Sequence, residues 1–271
     1  MEGFHVLPMD DLVIPLYSFT MSAAHPEVFH IPVEGPSLPD LFETIKKTLT
    51  PLWIITLNPE MLVAAHRDAS YASVLRQADI RTVDGFGLWL ALRLHGEHVH
   101  RVAGVPLAEN LLEMAESFGW KVGCFGGHPG TGASLEKVLK QEHPELRLHI
   151  EEAGYVQEDG ILDERSENAL HRMQLFAPDV LLVALGGGTK QERWIARYMG
   201  DIPCLRVVVG VGGTFDYWTG RIPRAPRFFQ RIGLEWLWRL FQEPKRIGRI
   251  FTAVIIFPYL YIKSVFAEKQ A

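Results

Sequence analysis

Three polar residues that end apolar runs of the sequence have the types needed to bind and activate a hydroxyl group. Asp84 ends one such run. A carboxylate at the end of a buried strand can face a cleft and accept a proton from an incoming hydroxyl, whereas it can equally cap the next helix. Thr56 and Asn58 end the preceding run and offer hydrogen bonds at the same cleft mouth. Asn58 before Pro59 is also typical of a helix N-cap, and the two roles are compatible.

Glycine-rich turns follow three other apolar runs, at residues 123–132, 186–188 and 210–213. Glycine lets the backbone approach a ligand, and successive N–H groups in such turns bind phosphate. One cluster alone is equally typical of a tight turn, but three at one sheet edge favour a nucleotide diphosphate pocket. The absence of a dinucleotide-binding glycine motif at such a turn, with its later acidic residue, disfavours a nicotinamide dehydrogenase. The candidate binding residues are Gly126, Gly127, Gly187, Gly212 and Gly213.

Polar side chains also follow the second and third glycine turns. Gln191 lies at the start of a predicted helix, where it could hydrogen-bond a base or a sugar, and Glu192 beside it would favour the helix dipole. Asp216 is a second candidate carboxylate, for which helix capping is the stronger interpretation. The sequence has no Asp-x-Asp pair, no His-Glu-x-x-His and no Cys-x-x-Cys. We therefore expect neither a metal ion nor a cofactor, so that backbone N–H groups and arginines would meet the charge of a diphosphate leaving group.

Basic residues are concentrated near the C-terminus. Residues 221–263 contain nine Lys/Arg and two Asp/Glu, a local charge of +7, whereas residues 1–220 carry −12. This asymmetry predicts an anionic surface or substrate for the C-terminal part. Arg239, Arg246 and Arg249 would share one face if the chain stays helical past Pro244. They could neutralise a diphosphate, form a solvated basic face or bind a membrane surface.

The apolar run Ile250–Ile262 has thirteen residues, fewer than the ~20 that span a bilayer, so it is expected to lie in the membrane interface. The N-terminus carries acidic residues where a signal peptide has basic ones, and the chain has only two cysteines, Cys124 and Cys204. Both cysteines lie in apolar runs and are expected to be buried. These features predict a cytoplasmic location.

The elements that position these residues are predicted from hydrophobic periodicity. Short apolar strands alternate with amphipathic helices, which predicts an α/β fold: a Rossmann-like parallel sheet flanked by helices, with ligands at the carboxyl ends of the strands. The expected organisation is a variable N-terminal extension (1–30), an α/β catalytic core (31–220) and a basic amphipathic helical appendage (221–271). The predicted strands are 52–57, 80–83, 121–125, 146–150, 180–185 and 205–209, and the predicted helices include 38–49, 59–76, 106–117, 163–176 and 190–198.

Taken together and in order, these motifs resemble the WecG/TagA/CpsF family, glycosyltransferase family 26. The resemblance covers about residues 31–250. The matching segments are TLNPEM (56–61), TVDGFG (82–87), RVAGVPL (101–107), GCFGGHPG (123–130), PDVLLVALGGGTKQERWI (178–195), GVGGTFDYWTG (210–220), RAP (224–226) and GLEWLWRLFQEPKRIGR (233–249).

The resemblance implies an inverting, metal-independent glycosyltransferase. It would move a sugar, N-acetylmannosamine or its uronic acid, from a UDP-sugar to an undecaprenyl-diphosphate-linked acceptor in bacterial cell-surface polysaccharide biosynthesis. The enzyme would lie peripherally at the inner face of the cytoplasmic membrane. By motif position, Asp84 would be the general base, Thr56 and Asn58 would line the sugar site, and Arg101 and Gln191 would contact the donor. Arg239, Arg246 and Arg249 would be appendage arginines that close over the site and neutralise the diphosphate.

Alternatives to this function come from the same class and from different ones. Within the class, relatives commonly have Gly-Ala/Ser-Pro-Lys-Gln-Glu where this chain has Gly187-Gly188-Thr189-Lys190-Gln191-Glu192. Glucose or another hexose, transferred in exopolysaccharide assembly, is therefore an alternative donor sugar. A Rossmann-like nucleotide-binding oxidoreductase or sensor and a membrane-surface adaptor are the alternatives from other classes. No nucleic-acid partner is expected, and a homo-oligomer is compatible with the sequence.

Overall fold

The computed structural model describes residues 25–186, 188–226, 228–229 and 235–268. Within them, six parallel strands form one sheet with helices on both faces, and a two-stranded hairpin precedes the sheet. The predicted α/β fold is confirmed. The strands are β1 (Glu27–Val28), β2 (Ile31–Pro32), β3 (Leu52–Leu57), β4 (Ile80–Val83), β5 (Lys121–Gly126), β6 (Arg147–Glu151), β7 (Val180–Ala184) and β8 (Val207–Gly210).

The helices cover the sheet in two layers. Odd- and even-numbered strand residues point to opposite faces, and each face has its own apolar cluster. The helices are α1 (Leu38–Lys47), α2 (Pro59–Arg67), α3 (Ala69–Arg76), α4 (Phe86–Leu94), α5 (Gly104–Phe118), α6 (Gly132–Glu142), α7 (Glu164–Phe176), α8 (Lys190–Tyr198), α9 (Thr214–Trp218), α10 (Glu235–Gln242), α11 (Ile247–Phe251) and α12 (Phe257–Glu268). Helices α2, α3, α4, α7, α8 and α12 contribute to one cluster, and α1, α5, α6 and α9 to the other.

The strand order, β4-β3-β8-β7-β5-β6, is what positions the site. The chain makes β3 and β4 at one edge of the sheet, crosses to make β5 and β6 at the other, and then returns to insert β7 and β8 between them. The carboxyl ends of all six strands therefore meet at one edge, and ligands of open parallel sheets bind where the strand connections change direction.

Several predicted elements differ from the structure. The predicted helix 59–76 is two helices, because Asp68 accepts hydrogen bonds from the N–H groups of Ser70 and Tyr71 and starts a new helix, α3. Helix α4 was not predicted. The prediction that Cys204 is buried is wrong: it is exposed before β8 with φ 63°, whereas Cys124 is buried in β5.

The first described residues belong to the packed fold. Val28 and Ile31 of the hairpin are buried in the apolar cluster shared with α2 and α12. Glu34, just after the hairpin, accepts from the backbone N–H of Arg81 at 2.6 Å and pairs with its guanidinium. Val28, Ile31 and Glu34 are thus part of the packed unit.

Residues Pro244–Ala267, which include α11 and α12, form one nearly continuous helical rod. A helix of 24 residues, Pro244–Ala267, is long and apolar enough to cross a membrane by length and composition, which exceeds the thirteen residues expected. It contains a wide π-helical turn, Thr252–Ile256, which ends two residues before Pro258. Such a turn relieves the clash between a proline ring and the carbonyl one α-helical turn earlier. The rod packs on the core, since its residues Phe257 and Tyr261 are buried in the apolar cluster on one face of the sheet.

Candidate active site

The candidate residues come together along the carboxyl edge of five neighbouring strands. Asp84 follows β4, Asn58 follows β3, and Gly212 and Gly213 follow β8. The turn that begins at Leu185 follows β7, and Gly127 follows β5. The sequence prediction that the glycine turns share one sheet edge with the carboxylate is therefore confirmed by the strand order.

Asp84 lies at the end of β4, half-buried, beside the end of β3. Its backbone N–H donates to the carbonyl oxygen of Leu57 at 2.7 Å, and Val83 pairs with Leu57 in the parallel ladder. The N-cap position of α4 is Gly85, with φ 87°, rather than Asp84. A glycine is required there because β-carbon-bearing residues rarely adopt this backbone conformation. Gly85 therefore takes the N-cap position of α4, and Asp84 stays at the strand end.

Thr56 and Asn58 lie beside Asp84 on the neighbouring strand. The Oδ1 atom of Asn58 accepts the N–H of Met61 at 3.0 Å, which confirms the predicted N-cap of α2. Thr56 is nearly buried, and Gly104, the first residue of α5, approaches it so closely that a Cβ there would lie 3.5 Å from Thr56 Oγ1. Thr56 therefore lies in the crevice between β3 and the start of α5.

Arg101 reaches the same edge through an unpredicted pairing. It forms a parallel bridge with Val83, and the next N–H, that of Val102, donates to the Val83 carbonyl at 2.9 Å. The buried hydroxyl of Thr82 also donates to the Val102 carbonyl, at 3.0 Å. These bonds place the exposed Arg101 one ladder position from the strand end that carries Asp84.

Close packing accounts for the two glycines of the turn after β5, and a carboxylate of the protein itself binds N–H groups of this turn. Gly126 has φ 101° and would clash with the Ala184 carbonyl if it had a side chain, and Gly127 donates its N–H to the same carbonyl at 2.7 Å. The Glu152 carboxylate accepts the N–H groups of Gly130 and Gly132, at 3.0 and 2.7 Å. These two bonds lower the pKa of Glu152. Two N–H groups of this turn, one of them the first N–H of α6, are thus bound to a carboxylate and are not available to a phosphate.

Gln191 lies behind the edge rather than on it. Its side chain is buried, and Oε1 accepts the N–H groups of Leu185 and Gly212 at 3.4 and 3.2 Å. A contact between Gln191 and a donor stays a prediction, as do binding roles for Gly212 and Gly213. Gly187 lies outside the described residues.

The three predicted arginines converge, and two carboxylates hold them. Glu243 Oε2 accepts from Arg239 Nε at 3.0 Å and from Arg246 Nη1 at 3.3 Å. Arg249 Nε donates to Glu60 Oε2, at 2.5 Å, in the first turn of α2. The helix that carries Arg239 ends at Gln242 and Glu243 is not helical, so the three arginines do not lie on one continuous helix, yet Glu243 and Glu60 bring them together.

The charges of this arginine cluster shift the pKa values of its members. Burial alone would raise the pKa of Glu243, but the hydrogen bond from Arg239 and the charges of Arg239 and Arg246 outweigh it and lower that pKa. Burial and the neighbouring charges of Arg239 and Arg249 lower the pKa of Arg246. The cluster therefore holds more positive charge than its carboxylates neutralise, which suits it to an anionic ligand.

The arginine cluster lies against the sheet edge. The guanidinium of Arg239 stacks over the ring of Tyr217 at 5.1 Å, and it approaches Gly213 so closely that a Cβ there would lie 2.5 Å from Nη2. Gly213 therefore makes room for the arginine after β8. Asp216, the second candidate carboxylate, accepts from Arg221 Nη1 at 3.0 Å.

Some of these partners had no signal in the sequence. The Arg239–Glu243 pair has the i, i+4 spacing of a helical ion pair, so it could have been predicted from the sequence. The partners of Arg249, Gln191 and the β5 turn are separated from them by many residues and depend on the fold. Among the described residues, no three His, Cys, Asp or Glu side chains are grouped to hold a metal ion.

Comparisons with known proteins place the chain in one family. The profile of the "Glycosyl transferase WecG/TagA/CpsF family" matches residues 26–271. Similar proteins from Staphylococcus aureus strains MRSA252 and MW2 are named N-acetylglucosaminyldiphosphoundecaprenol N-acetyl-beta-D-mannosaminyltransferase. Each is 28% identical over 256 residues, covering 92% of this chain and 97% of the relative. Because the family profile matches nearly the whole sequence, the chain belongs to the WecG/TagA/CpsF family of glycosyltransferases.

Proposed function

We propose that this glycosyltransferase moves N-acetylmannosamine, or its uronic acid, from a UDP-sugar to an acceptor sugar linked to undecaprenyl diphosphate. The acceptor class follows the names of the Staphylococcus aureus relatives, which describe transfer of N-acetylmannosamine to N-acetylglucosaminyl-diphosphoundecaprenol. The donor nucleotide follows the family resemblance. Glucose or another hexose is the alternative sugar, because Thr189 replaces the proline that relatives commonly have in the β7 turn.

The reaction is a single displacement at the anomeric carbon. A hydroxyl oxygen of the acceptor forms the new bond to that carbon, and its proton passes to the carboxylate of Asp84. The bond between the anomeric carbon and the diphosphate oxygen breaks, so that UDP leaves with the electron pair. Because one nucleophile attacks opposite the leaving group, the configuration at that carbon is inverted.

The observation that supports this proposal most is the convergence of a carboxylate and a cationic cluster at one sheet edge. Asp84 follows β4, Arg249 pairs with Glu60 after β3, and Arg239 packs against Gly213 after β8. These are three adjacent strands. A general base on one side and guanidinium groups on the other suit a reaction in which a hydroxyl loses a proton while a diphosphate gains charge.

Arginines also suit a mechanism without a metal ion. Guanidinium groups bind phosphate oxygens in pairs and keep their charge at neutral pH. We propose that Arg239, Arg246 and Arg249 supply the positive charge that stabilises UDP as it leaves. Thr56, Asn58 and Arg101 would orient the donor sugar from the neighbouring strand ends.

The exposed side of the C-terminal rod supports action at a membrane surface. Six of its apolar residues are more than half exposed and recur every three or four positions: Ile247, Phe251, Ile255, Tyr259, Ile262 and Phe266. The opposite side packs on the core through Phe257 and Tyr261. A helix docked on one side can lie in the interface with its other side among lipids, at the cytoplasmic face where the lipid-linked acceptor is presented.

A donor screen tests the proposal. Purified protein is offered UDP-N-acetylmannosamine, its uronic acid, UDP-N-acetylglucosamine and UDP-glucose with a short-chain lipid-diphosphate N-acetylglucosamine acceptor, with and without EDTA. We expect turnover with an N-acetylmannosamine donor, unchanged by EDTA. Turnover with UDP-glucose alone would support the hexose alternative, and loss of activity in EDTA would contradict the metal-free mechanism.

A further inference from the structure

A network of hydrogen bonds between buried polar side chains connects α3, α8 and the two turns that follow β7 and β8. We propose that Glu192 and Tyr71 are positioning residues, which orient the amide of Gln191 so that it holds these two turns together at the active-site edge. The consequence for catalysis rests on the proposed function, whereas the hydrogen-bond network itself does not. The family resemblance implies instead that Gln191 contacts the donor, and it assigns no role to Glu192 or Tyr71.

The amide oxygen of Gln191 joins two turns that the ladder does not connect. Oε1 accepts the N–H of Leu185, the first residue after β7, at 3.4 Å, and the N–H of Gly212, two residues after β8, at 3.2 Å. The two strands are neighbours in the sheet, but their ladder ends before these residues. One side-chain oxygen thus fixes the separation of two glycine-containing turns.

The orientation of this amide is set by Glu192. Nε2 of Gln191 donates to Glu192 Oε1 at 2.8 Å, and the Tyr71 hydroxyl donates to Glu192 Oε2 at 3.1 Å. If the Gln191 amide were turned over, its NH₂ group would face the two backbone N–H donors, and its oxygen would face a carboxylate oxygen. Neither contact is a hydrogen bond. The carboxylate therefore selects the amide orientation that holds both turns.

Burial makes each of these hydrogen bonds important. Tyr71, Glu192 and Gln191 are 0%, 5% and 7% exposed. Burial raises the pKa of Glu192, and the hydrogen bonds from Gln191 and Tyr71 lower it in part. An unpaired polar group in such a place destabilises the fold, so partial loss of the network affects everything attached to it.

The fold leaves space for this network and anchors it from α3. A side chain at Gly210, the last residue of β8, would collide with the Gln191 amide. Arg193, the next residue of α8, donates to Asp68 Oδ2 at 2.7 Å and to Ser70 Oγ at 2.8 Å at the start of α3. Helix α8 is thereby fixed to α3 close to the Tyr71 contact, which keeps Glu192 in place.

A swap of the two neighbouring residues tests the network directly. In the single variant Gln191→Glu, two carboxyl groups face each other. In the double variant Gln191→Glu/Glu192→Gln, the amide at position 192 would donate its NH₂ to the carboxylate at position 191, and its oxygen would still accept from Tyr71. The carboxylate at position 191 would still accept both backbone N–H groups. The double variant thus restores every hydrogen bond of the network. Hydrogen exchange of the Leu185 and Gly212 backbone amides measures, without any substrate, how firmly the two turns are held.

We expect Gln191→Glu to raise the exchange rates of both amides about tenfold, as the loss of one or two net hydrogen bonds predicts, and the double variant to restore them. In the transfer assay, the single variant should raise KM for the donor more than it lowers kcat, and the swap should recover both. Tyr71→Phe keeps the Gln191–Glu192 bond, so its effect should be smaller.

Two results would overturn the proposal. Fast exchange at Leu185 and Gly212 in the double variant would show that the network does not hold the turns. If the double variant had wild-type exchange rates but no longer transferred the sugar, the Gln191 amide itself would contact substrate. If the wild-type chain transferred no sugar at all, the proposed function would fail, while the exchange rates would still decide the network.

Discussion

Asn58 caps a helix and also lies at the edge that carries the candidate site. Its oxygen caps α2, and its position after β3 places it next to the strand end that carries Asp84. The cap predicted from the sequence is confirmed, because a cap before Pro59 is a local feature, and a role in the sugar site stays a prediction. Sequence reasoning could not find that Gln191 is buried, because that depends on the partners that α3 and β8 bring to it.

Substitutions of Asn58 separate its two roles. Asn58→Ala should lower the free energy of unfolding by about 1 kcal/mol, since the cap is lost, whereas Asn58→Ser keeps a capping oxygen and should stay near wild type. Both variants lack the amide and should raise KM for the donor. Thermal unfolding and transfer kinetics measure the two effects. Wild-type kinetics in a stably folded Asn58→Ser would exclude Asn58 from the sugar site.

Glu152 gives a pH-dependent contribution to stability at the β5 turn. Its pKa is lowered below the ordinary value of 4.5 by the N–H groups of Gly130 and Gly132. A carboxylate with a lowered pKa in the folded state stabilises the fold fully above its unfolded pKa, and this is lost as pH falls through the folded pKa. Glu152→Gln should therefore be destabilised by about 1–3 kcal/mol at pH 7.

The same variant should lose its difference from wild type as the pH falls through the lowered pKa of Glu152 in the folded state, because the native carboxyl group is then increasingly protonated. Urea unfolding at several pH values measures this. A gap between Glu152→Gln and wild type that stays constant over this whole range, from about pH 7 downwards, would mean that the carboxylate does not bind these N–H groups as an anion.

At the scale of elements, the strands could be predicted better than the helices. The bounds of β3 and β4 agree with the sequence prediction, because each is a continuous apolar run that a turn residue ends. Helix α4 was missed because its residues, FGLWLALRL, are apolar on nearly every side and show little helical periodicity. The strand order could not be predicted, since it depends on contacts between strands far apart in the sequence.

The arginine cluster depends on the geometry of α10 and on the break in the helix at Glu243. Glu243 bridges Arg239 and Arg246, so Glu243→Gln should loosen both guanidinium groups. We expect lower kcat and weaker UDP binding, with little change in thermal stability. The exposed pair Glu43–Lys46 on α1 offers a matched control. Glu43→Gln should leave kcat and UDP binding unchanged, because exposed ion pairs contribute little. Equal kinetics for the two variants would argue against a role for the bridge.

At the scale of the whole molecule, the C-terminal rod is both part of the core and a candidate membrane surface. Its buried side includes Phe257, which contacts Phe29 of the hairpin at 6.1 Å between ring centroids. Its exposed side carries Phe251 and Phe266. The apolar run predicted the membrane contact, but its periodicity did not show which side the core would cover.

Paired variants distinguish the two sides of the rod. Phe251→Ser/Phe266→Ser should reduce binding to anionic phospholipid vesicles several-fold while changing stability by less than about 1 kcal/mol, since surface substitutions rarely change stability by more. Phe257→Ala should cost about 3–5 kcal/mol. Vesicle co-sedimentation and urea unfolding measure both effects. Unchanged vesicle binding in the double variant would exclude this side from membrane contact.

We propose that Asp84 removes the proton of the acceptor hydroxyl at a sheet edge completed by the arginine cluster. The most direct test is the transfer rate of Asp84→Asn at saturating donor and acceptor, beside Asp216→Asn as a control whose carboxylate pairs with Arg221. We predict that Asp84→Asn loses about 10²–10⁴-fold in kcat, keeps its fold and still binds UDP, whereas Asp216→Asn keeps most of its activity. Near-normal turnover by folded Asp84→Asn would show that Asp84 is not the general base.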